Sequence, residues 1–336
     1  MMRKPFAILL RVALTMAIFW WLSSRIDFRE VWHFVGEADP RWVGMSLLLS
    51  IGQRVCRSLN WGQLLRALGV ATPMLQWNAL RVYFAAGFLG ALFPSSVTAD
   101  ALRILLAKRL FGENLSGLAA TALLLNACTW GAACSVGLAG LAFLVVQSAL
   151  PAVLSGAMVF LLAITMGFAA IYMILRLNRG RAFLWMRRWS ASLFPLRRFL
   201  RELVSGLLLF EKNRGNVWLV LPVALAAQTL GVLSLATLGS GIGLDLPLGA
   251  FLVAVPLSAV VSIIPASILG FGAMQAFHVL YFTEFGAGQS QALAVSTLYT
   301  MMSIGTHLAF GACVLLFTDL AKTEAPPASR AQGSRS

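Results

Sequence analysis

Six stretches of this sequence, at about 5–23, 41–57, 116–147, 152–175, 217–239 and 290–318, have the length and apolar character of a helix that crosses a bilayer, which takes roughly 17–25 residues. Backbone inside hydrocarbon must satisfy its own hydrogen bonds, so such a chain is confined to an all-α polytopic membrane fold. Composition excludes the soluble alternative. Only 11% of the residues are charged, against about 25% in soluble domains, and the mean hydropathy is +0.83. The N-terminus has the basic start and apolar run of a signal sequence, but it lacks a small-residue cleavage site, so a retained first helix is expected.

The 26 Lys and Arg residues outnumber 12 Asp and Glu. They fall mainly between the apolar runs, which makes them topology signals rather than a nucleic-acid surface. Arg3 and Lys4 precede the first run. Arg54 and Arg57 at the end of the second are grouped with Arg66 and Arg81 as the basic residues that follow it, and Arg103, Lys108 and Arg109 come later. A basic segment at 176–216, interleaved with Trp185, Trp189 and Phe194, suits a helix lying in the headgroup region, and Lys322, Arg330 and Arg335 mark the tail. The positive-inside rule puts all of these on the cytoplasmic side of a bacterial inner membrane, together with both termini. Residues 1–318 then form one transmembrane domain, with halves of about 1–150 and 151–318, and 319–336 has the composition of a disordered cytoplasmic tail.

Two further apolar stretches are interrupted. The first, near 76–94, breaks at Pro94, Ser95 and Ser96 before an arm carrying Asp100 and Arg103. The second, near 247–265, contains Pro256 and breaks at Pro265, Ser267, Gly270 and Gly272 before an arm carrying Gln275 and His278. For the basic segments to stay in the cytoplasm, each stretch must return to the side it came from. That predicts two re-entrant helical hairpins entering from opposite faces, an inverted repeat of the kind found in secondary transporters. PSSV at 94–97 and PASI at 265–268 are a short match between the two breaks, with two unrelated kinked hairpins as the alternative.

Three stretches, SLNWGQLLRALG at 58–69, FPSSVTADALRILLAKRLFG at 93–112 and IIPASILGFGAMQAFHVLYFTEFG at 263–286, resemble the transmembrane part of the lysylphosphatidylglycerol synthase family of flippase-like proteins. The resemblance implies movement of a lipid, typically an aminoacylated phosphatidylglycerol or another amphiphile, between leaflets. Two-part members carry a soluble aminoacyltransferase domain after the membrane part. This chain ends about 18 residues beyond the last apolar run, so lipid aminoacylation is not expected of it. The sequence also departs from the family pattern. Thr98-Ala99-Asp100 stands where the family usually has Gly-Gly-Asp, and Gln275 where a Glu commonly follows the glycines. Asn60-Trp61 replaces an Arg-Trp pair, and Asn126-Ala127 an acidic-Arg pair. Loss of charge suggests a less polar lipid, such as a hopanoid or isoprenoid; the family has a hopanoid-associated branch.

Asp100 is the leading candidate for the site, because a carboxylate in hydrocarbon needs a cavity or a partner, and Arg103 lies one turn away on the same face. It is read equally as a headgroup or proton contact and as half of a structural ion pair. Ser95, Ser96 and Ser267 can either take up backbone groups freed by Pro94 and Pro265 or touch substrate. Gly270 and Gly272 permit unusual torsions or close helix approach. Arg57 and Arg66 flank Asn60-Trp61 and suit a phosphate headgroup, with interfacial anchoring by Trp61 as the alternative. His307 lies in a polar stripe with Thr300, Ser303 and Thr306. Neither it nor His278 has a ligand partner at helical spacing, so no metal or other cofactor is expected. Cys56, Cys128, Cys134 and Cys313 read as small core residues.

The expected function is that of a lipid translocase or lipid-export factor. Its six spanning helices and two hairpins would enclose a central cavity with Asp100 and Gln275 near the hairpin tips. The expected partners are membrane lipids and proteins of lipid synthesis or export, not nucleic acid. An intramembrane lipid-modifying enzyme would require two of Asp100, His278 and His307 to meet. A non-transporting subunit of an envelope lipid-synthesis complex is the third reading.

Overall fold

The computed structural model describes residues 27–91, 96–147, 219–261 and 272–317, together with Trp20 and Gly156. Nine helices and no strands are present among the described residues. They are α1 (Phe28–Gly36), α2 (Pro40–Leu68), α3 (Leu75–Ala91), α4 (Ser96–Phe111), α5 (Leu115–Val146), α6 (Val220–Gly241), α7 (Leu248–Val261), α8 (Ala273–Thr283) and α9 (Gln289–Phe317). The expected spans at 5–23 and 152–175, the basic segment at 176–216, the tail, and Pro94, Ser95, Pro265, Ser267 and Gly270 lie outside the described residues.

Helices α5, α6 and α9 are each long and apolar enough to cross a membrane. The second expected run is longer than its apolar core. Asp39 accepts a hydrogen bond from the Arg41 N–H and Pro40 occupies the first turn, an arrangement that starts a helix. No turn residue intervenes until Gly69, whose φ of 103° ends it in the left-handed region. The resulting 29-residue helix carries Arg54, Arg57 and Arg66 within it. These arginines therefore do not follow the helix in a loop, as the sequence suggested. At 1.5 Å per residue α2 is about 43 Å long, whereas α3, α4, α7 and α8 come to about 25, 24, 21 and 16 Å, short of the roughly 30 Å hydrocarbon core.

Buried apolar side chains form two cores at opposite ends of the bundle. In one, Leu68 and Val70 at the end of α2 meet Leu75 at the start of α3, Leu110 at the end of α4 and Leu118 at the start of α5. The other joins Leu144 at the end of α5, Ile242 just past α6, Ala250 at the start of α7, Phe282 at the end of α8 and Ala292 at the start of α9. The arms α3 and α4 thus bring their outer ends to one end of the molecule, and α7 and α8 bring theirs to the other.

Helix pairing is reciprocal between the two halves. The first arm of each interrupted stretch packs on the last helix of the other half, α3 on α9 and α7 on α5, while α2 and α6 pack on each other. Small residues permit each approach. A Cβ on Gly87 would lie 2.3 Å from Cδ2 of His307, and one on Gly311 would lie 2.3 Å from Cβ of Phe88. On the other side, a Cβ on Gly140 would meet Cβ of Leu252 at 2.5 Å and the Gly249 carbonyl at 3.1 Å. Between α2 and α6, the hydroxyls of Ser46 and Ser234 each donate to the other's backbone carbonyl, at 2.6 and 2.8 Å. Close backbone approach of this kind drives helix association where lipid tails remove the hydrophobic driving force.

Candidate functional site

The outside of the bundle is apolar, with Leu123, Leu221, Leu233, Met301, Phe310 and Leu316 exposed. Several polar side chains are inside. Arg54, Arg103, Gln228, Gln275, His278 and Thr300 are all buried, the reverse of a soluble protein and the pattern of side chains shielded from acyl chains.

Arg54 is 6% exposed and stands 14 residues from each end of α2, about 21 Å along the axis either way. It donates through Nη1 to the carbonyl and hydroxyl of Ser50, and through Nη2 to the carbonyl (3.2 Å) and hydroxyl (2.8 Å) of Ser303. Ser303 is itself the midpoint of the 29-residue α9. The contact therefore lies at half depth on both helices. Arg57 follows one turn later and is half-buried, within electrostatic reach of Arg54, Tyr299 and His307.

Arg103 on α4 pairs with Asp100 at 2.9 Å, and the other carboxylate oxygen of Asp100 accepts from Nδ2 of Asn126 on α5 at 3.0 Å. The guanidinium sits 4.5 Å from the centre of the Tyr83 ring and 5.7 Å from that of Trp61, so its charge is held by a carboxylate and two aromatic faces. Trp61 is 0% exposed and donates to the Thr121 hydroxyl at 3.1 Å. It is therefore a core residue and not an anchor at the membrane surface. The sequence could not separate these roles, because an indole N–H is satisfied equally by interfacial water or by a buried hydroxyl.

A second polar group surrounds the start of α8. Gly272 has φ 118°, a torsion that only glycine adopts without strain, and its N–H donates to Oε1 of Gln275 at 2.7 Å. Nε2 of Gln275 donates to Thr300 at 3.1 Å, and Nδ1 of His278 lies 2.7 Å from the Ser296 hydroxyl. Gln275 thus fixes the backbone turn and ties it to α9.

Helix α9 links the two groups. Ser296, Thr300, Ser303 and His307 recur at four, three and four residues, so they share one face over about 16 Å. Their neighbours in turn are His278, Gln275, Arg54 and Gly87. Thr306 donates to the Met302 carbonyl and lies beside this face. At the His307 end of the stripe Arg57 and Arg103 are within electrostatic reach, with Asp100 and Trp61 beside Arg103, and nearer the other end Gln275 is bonded to Thr300. Ser96 opens α4, four residues before Asp100.

Arg54 is the residue that sequence reasoning missed. The charge pattern groups it with the basic residues after the second span, whereas the helix signals at Asp39 and Gly69 put it mid-helix. Of the four cysteines expected in the core, Cys134 is buried, Cys56 and Cys128 are half-buried, and Cys313 is exposed on α9. A cleft of about 520 Å³ opens at the turn after α2, lined by Arg66, Val70, Thr72 and Gln76. Twelve residues, or about 18 Å of helix, separate Arg66 from Arg54, so this cleft is not the polar interior. Among the described residues, no group of three His, Cys, Asp or Glu is placed to hold a metal.

An apolar-clad helical bundle with polar side chains at half depth defines a multi-pass membrane protein. Within that class, the chain belongs to the family described as the lysylphosphatidylglycerol synthase TM region, whose model matches residues 8–311. No curated protein matches it. Family and fold together place its function with membrane lipids.

Proposed function

We propose that this protein is a lipid translocase or lipid-export factor of the bacterial inner membrane, moving an amphiphilic lipid of the phospholipid or hopanoid and isoprenoid type, with both termini cytoplasmic. The observation that carries this reading is the polar face of α9, which runs from the Gln275–His278 group past Arg54 at half depth to His307, within electrostatic reach of Arg103. A headgroup cannot cross bare hydrocarbon cheaply. A row of hydroxyl, amide and guanidinium groups along one helix face would exchange its hydration for fixed partners while the tails stay in lipid.

The short arms are read as two re-entrant hairpins entering from opposite faces. Reciprocal packing of α3 on α9 and α7 on α5 supports an internal repeat, and repacking of one half against the other would open the stripe alternately to each leaflet. Asp100, Arg103, Arg57, Gln275 and His307 are the proposed substrate-facing set, with Trp61 backing Arg103 from the core and Ser95, Ser96 and Ser267 at the breaks. A non-enzymatic role is supported by the partners of the titratable groups. Asp100 is held by Arg103 and Asn126, His278 by Ser296 and His307 by the Ser303 carbonyl, so none of these hydrogen bonds joins two of the three.

The test is a leaflet-accessibility assay in proteoliposomes with fluorescent phospholipid or isoprenoid lipid, comparing wild type with Ser303→Val and Thr300→Val. Transport should fall at least tenfold in both variants while the proteins remain folded. Equal leaflet exchange in protein-free and protein-containing vesicles, for every lipid class tried, overturns the proposal.

A further inference from the structure

Among the described residues, the charges at half depth do not cancel. Two ion pairs occur among the described residues, His33–Glu37 on exposed α1 and Arg103–Asp100, so the one carboxylate near the stripe is already taken. Arg54 has four hydrogen bonds, all to neutral serine oxygens, and its Nε is buried without a partner. Nε of Arg57 is likewise buried and unpartnered. The two guanidiniums are one helical turn apart, and each acts electrostatically on the other and on His307. Two cations held side by side, one buried and one half-buried, with no counter-ion among the described residues, repel one another and are poorly solvated. Such an arrangement persists where a ligand supplies the missing negative charge.

We infer that Arg54 and Arg57 bind the phosphate of a lipid headgroup at half depth, so that the lipid handled by this protein is net anionic. The geometry suits that chemistry. Guanidinium forks match a phosphodiester with paired N–H donors, and Arg54 is already oriented by Ser50 and Ser303. Arg57, Ser303 and His307 keep partial exposure, so the site has a flank from which a tethered headgroup can enter. A headgroup bearing an added ammonium, as in aminoacylated phosphatidylglycerol, would face two unneutralised cations. A neutral hopanoid would leave both unsatisfied. Arg54 at half depth thus restores a charge to the interior and favours an anionic lipid over the less polar one that the replaced Glu and Arg suggest.

This inference rests on the proposed lipid-handling role and names its substrate class. Full-length protein in nanodiscs of equal phosphatidylglycerol and phosphatidylcholine is extracted into neutral detergent, and retained lipid is measured by native mass spectrometry. Phosphatidylglycerol should be retained at least tenfold over phosphatidylcholine. The preference should drop about tenfold in Arg57→Gln, survive in Arg54→Lys, which keeps the charge, and be unchanged in Arg109→Gln, whose side chain is exposed at the end of α4. Equal retention of the two lipids by wild type overturns the inference, as does an equal loss in Arg109→Gln. Displacement of the lipid by millimolar inorganic phosphate would assign the site to a soluble anion and overturn its lipid identity. Retention requires no transport. Selective retention without leaflet exchange would sink the translocase reading alone, and leaflet exchange without selectivity would sink this inference alone.

Discussion

Replacing Asp100 tests whether the Arg103 charge is held by its carboxylate or by the surrounding rings. The pair is 2.9 Å apart, with Arg103 nearly sealed and the Asp100 side chain 33% exposed, so its worth falls between a surface pair at about 0–1 kcal/mol and the 3–5 kcal/mol lost on breaking a fully buried one. Asp100→Leu strips the counter-charge and also frees the Asn126 amide, leaving the Tyr83 and Trp61 faces, which supply about 1 kcal/mol. A loss of about 2–3 kcal/mol is expected for Asp100→Leu, and about 1 kcal/mol for Asp100→Asn, whose oxygen still accepts from Arg103. The assay is equilibrium unfolding in mixed micelles for Asp100→Leu, Arg103→Leu and the double variant. If the pair acts as a unit, the double variant loses about 2 kcal/mol less than the two single losses together. Additivity within about 0.5 kcal/mol would show that the carboxylate does not hold Arg103, and the structural half of the Asp100 reading would fail. Transport by a folded Asp100→Asn protein then separates the other half: a tenfold loss at near-native stability assigns Asp100 a contact with the headgroup.

Gly87→Val should separate α3 from α9, because the new Cβ falls 2.3 Å from His307 Cδ2; a loss of about 1–3 kcal/mol in thermal unfolding is expected, and wild-type stability would contradict the close approach. Gly140→Leu tests the reciprocal contact of α5 with α7 and should cost a similar amount. Trp61→Phe removes the bond to Thr121, whose hydroxyl still donates to the Leu118 carbonyl, so it should cost about 1 kcal/mol, against about 3–5 kcal/mol for Trp61→Ala; equal losses would place Trp61 outside the core. Gln275→Leu abandons both the Gly272 N–H and Thr300 and should lose about 1–3 kcal/mol, whereas Gln275→Glu keeps an acceptor for Gly272 and should lose less; the reverse order would refute the capping role.

The local parts of this structure were legible in the sequence. Apolar length dictates the membrane, since unpaired backbone in hydrocarbon is too costly for anything but helices here. Asp39, Pro40 and Gly69 write the ends of α2 into three residues, and Asp100 with Arg103 one turn away writes an ion pair into one helix. The polar stripe of α9 follows from spacing alone, though Ser296 was not read as part of it. Each of these depends on neighbours within a turn or two.

Depth and partnership depend on residues far apart in the chain, and there sequence gave no purchase. An arginine next to an apolar run reads the same whether it faces headgroups or sits in the bundle. Only the packing of α2 on α9 decides that Arg54 meets Ser303, 249 positions away. The same holds for Trp61, buried by α5 across a separation of 60 positions. Hydrophobicity chose the solvent and local chemistry chose the helices, while tertiary contacts decided which charges were left uncompensated at the centre. Compensation is a property of the assembled neighbourhood and of no single residue.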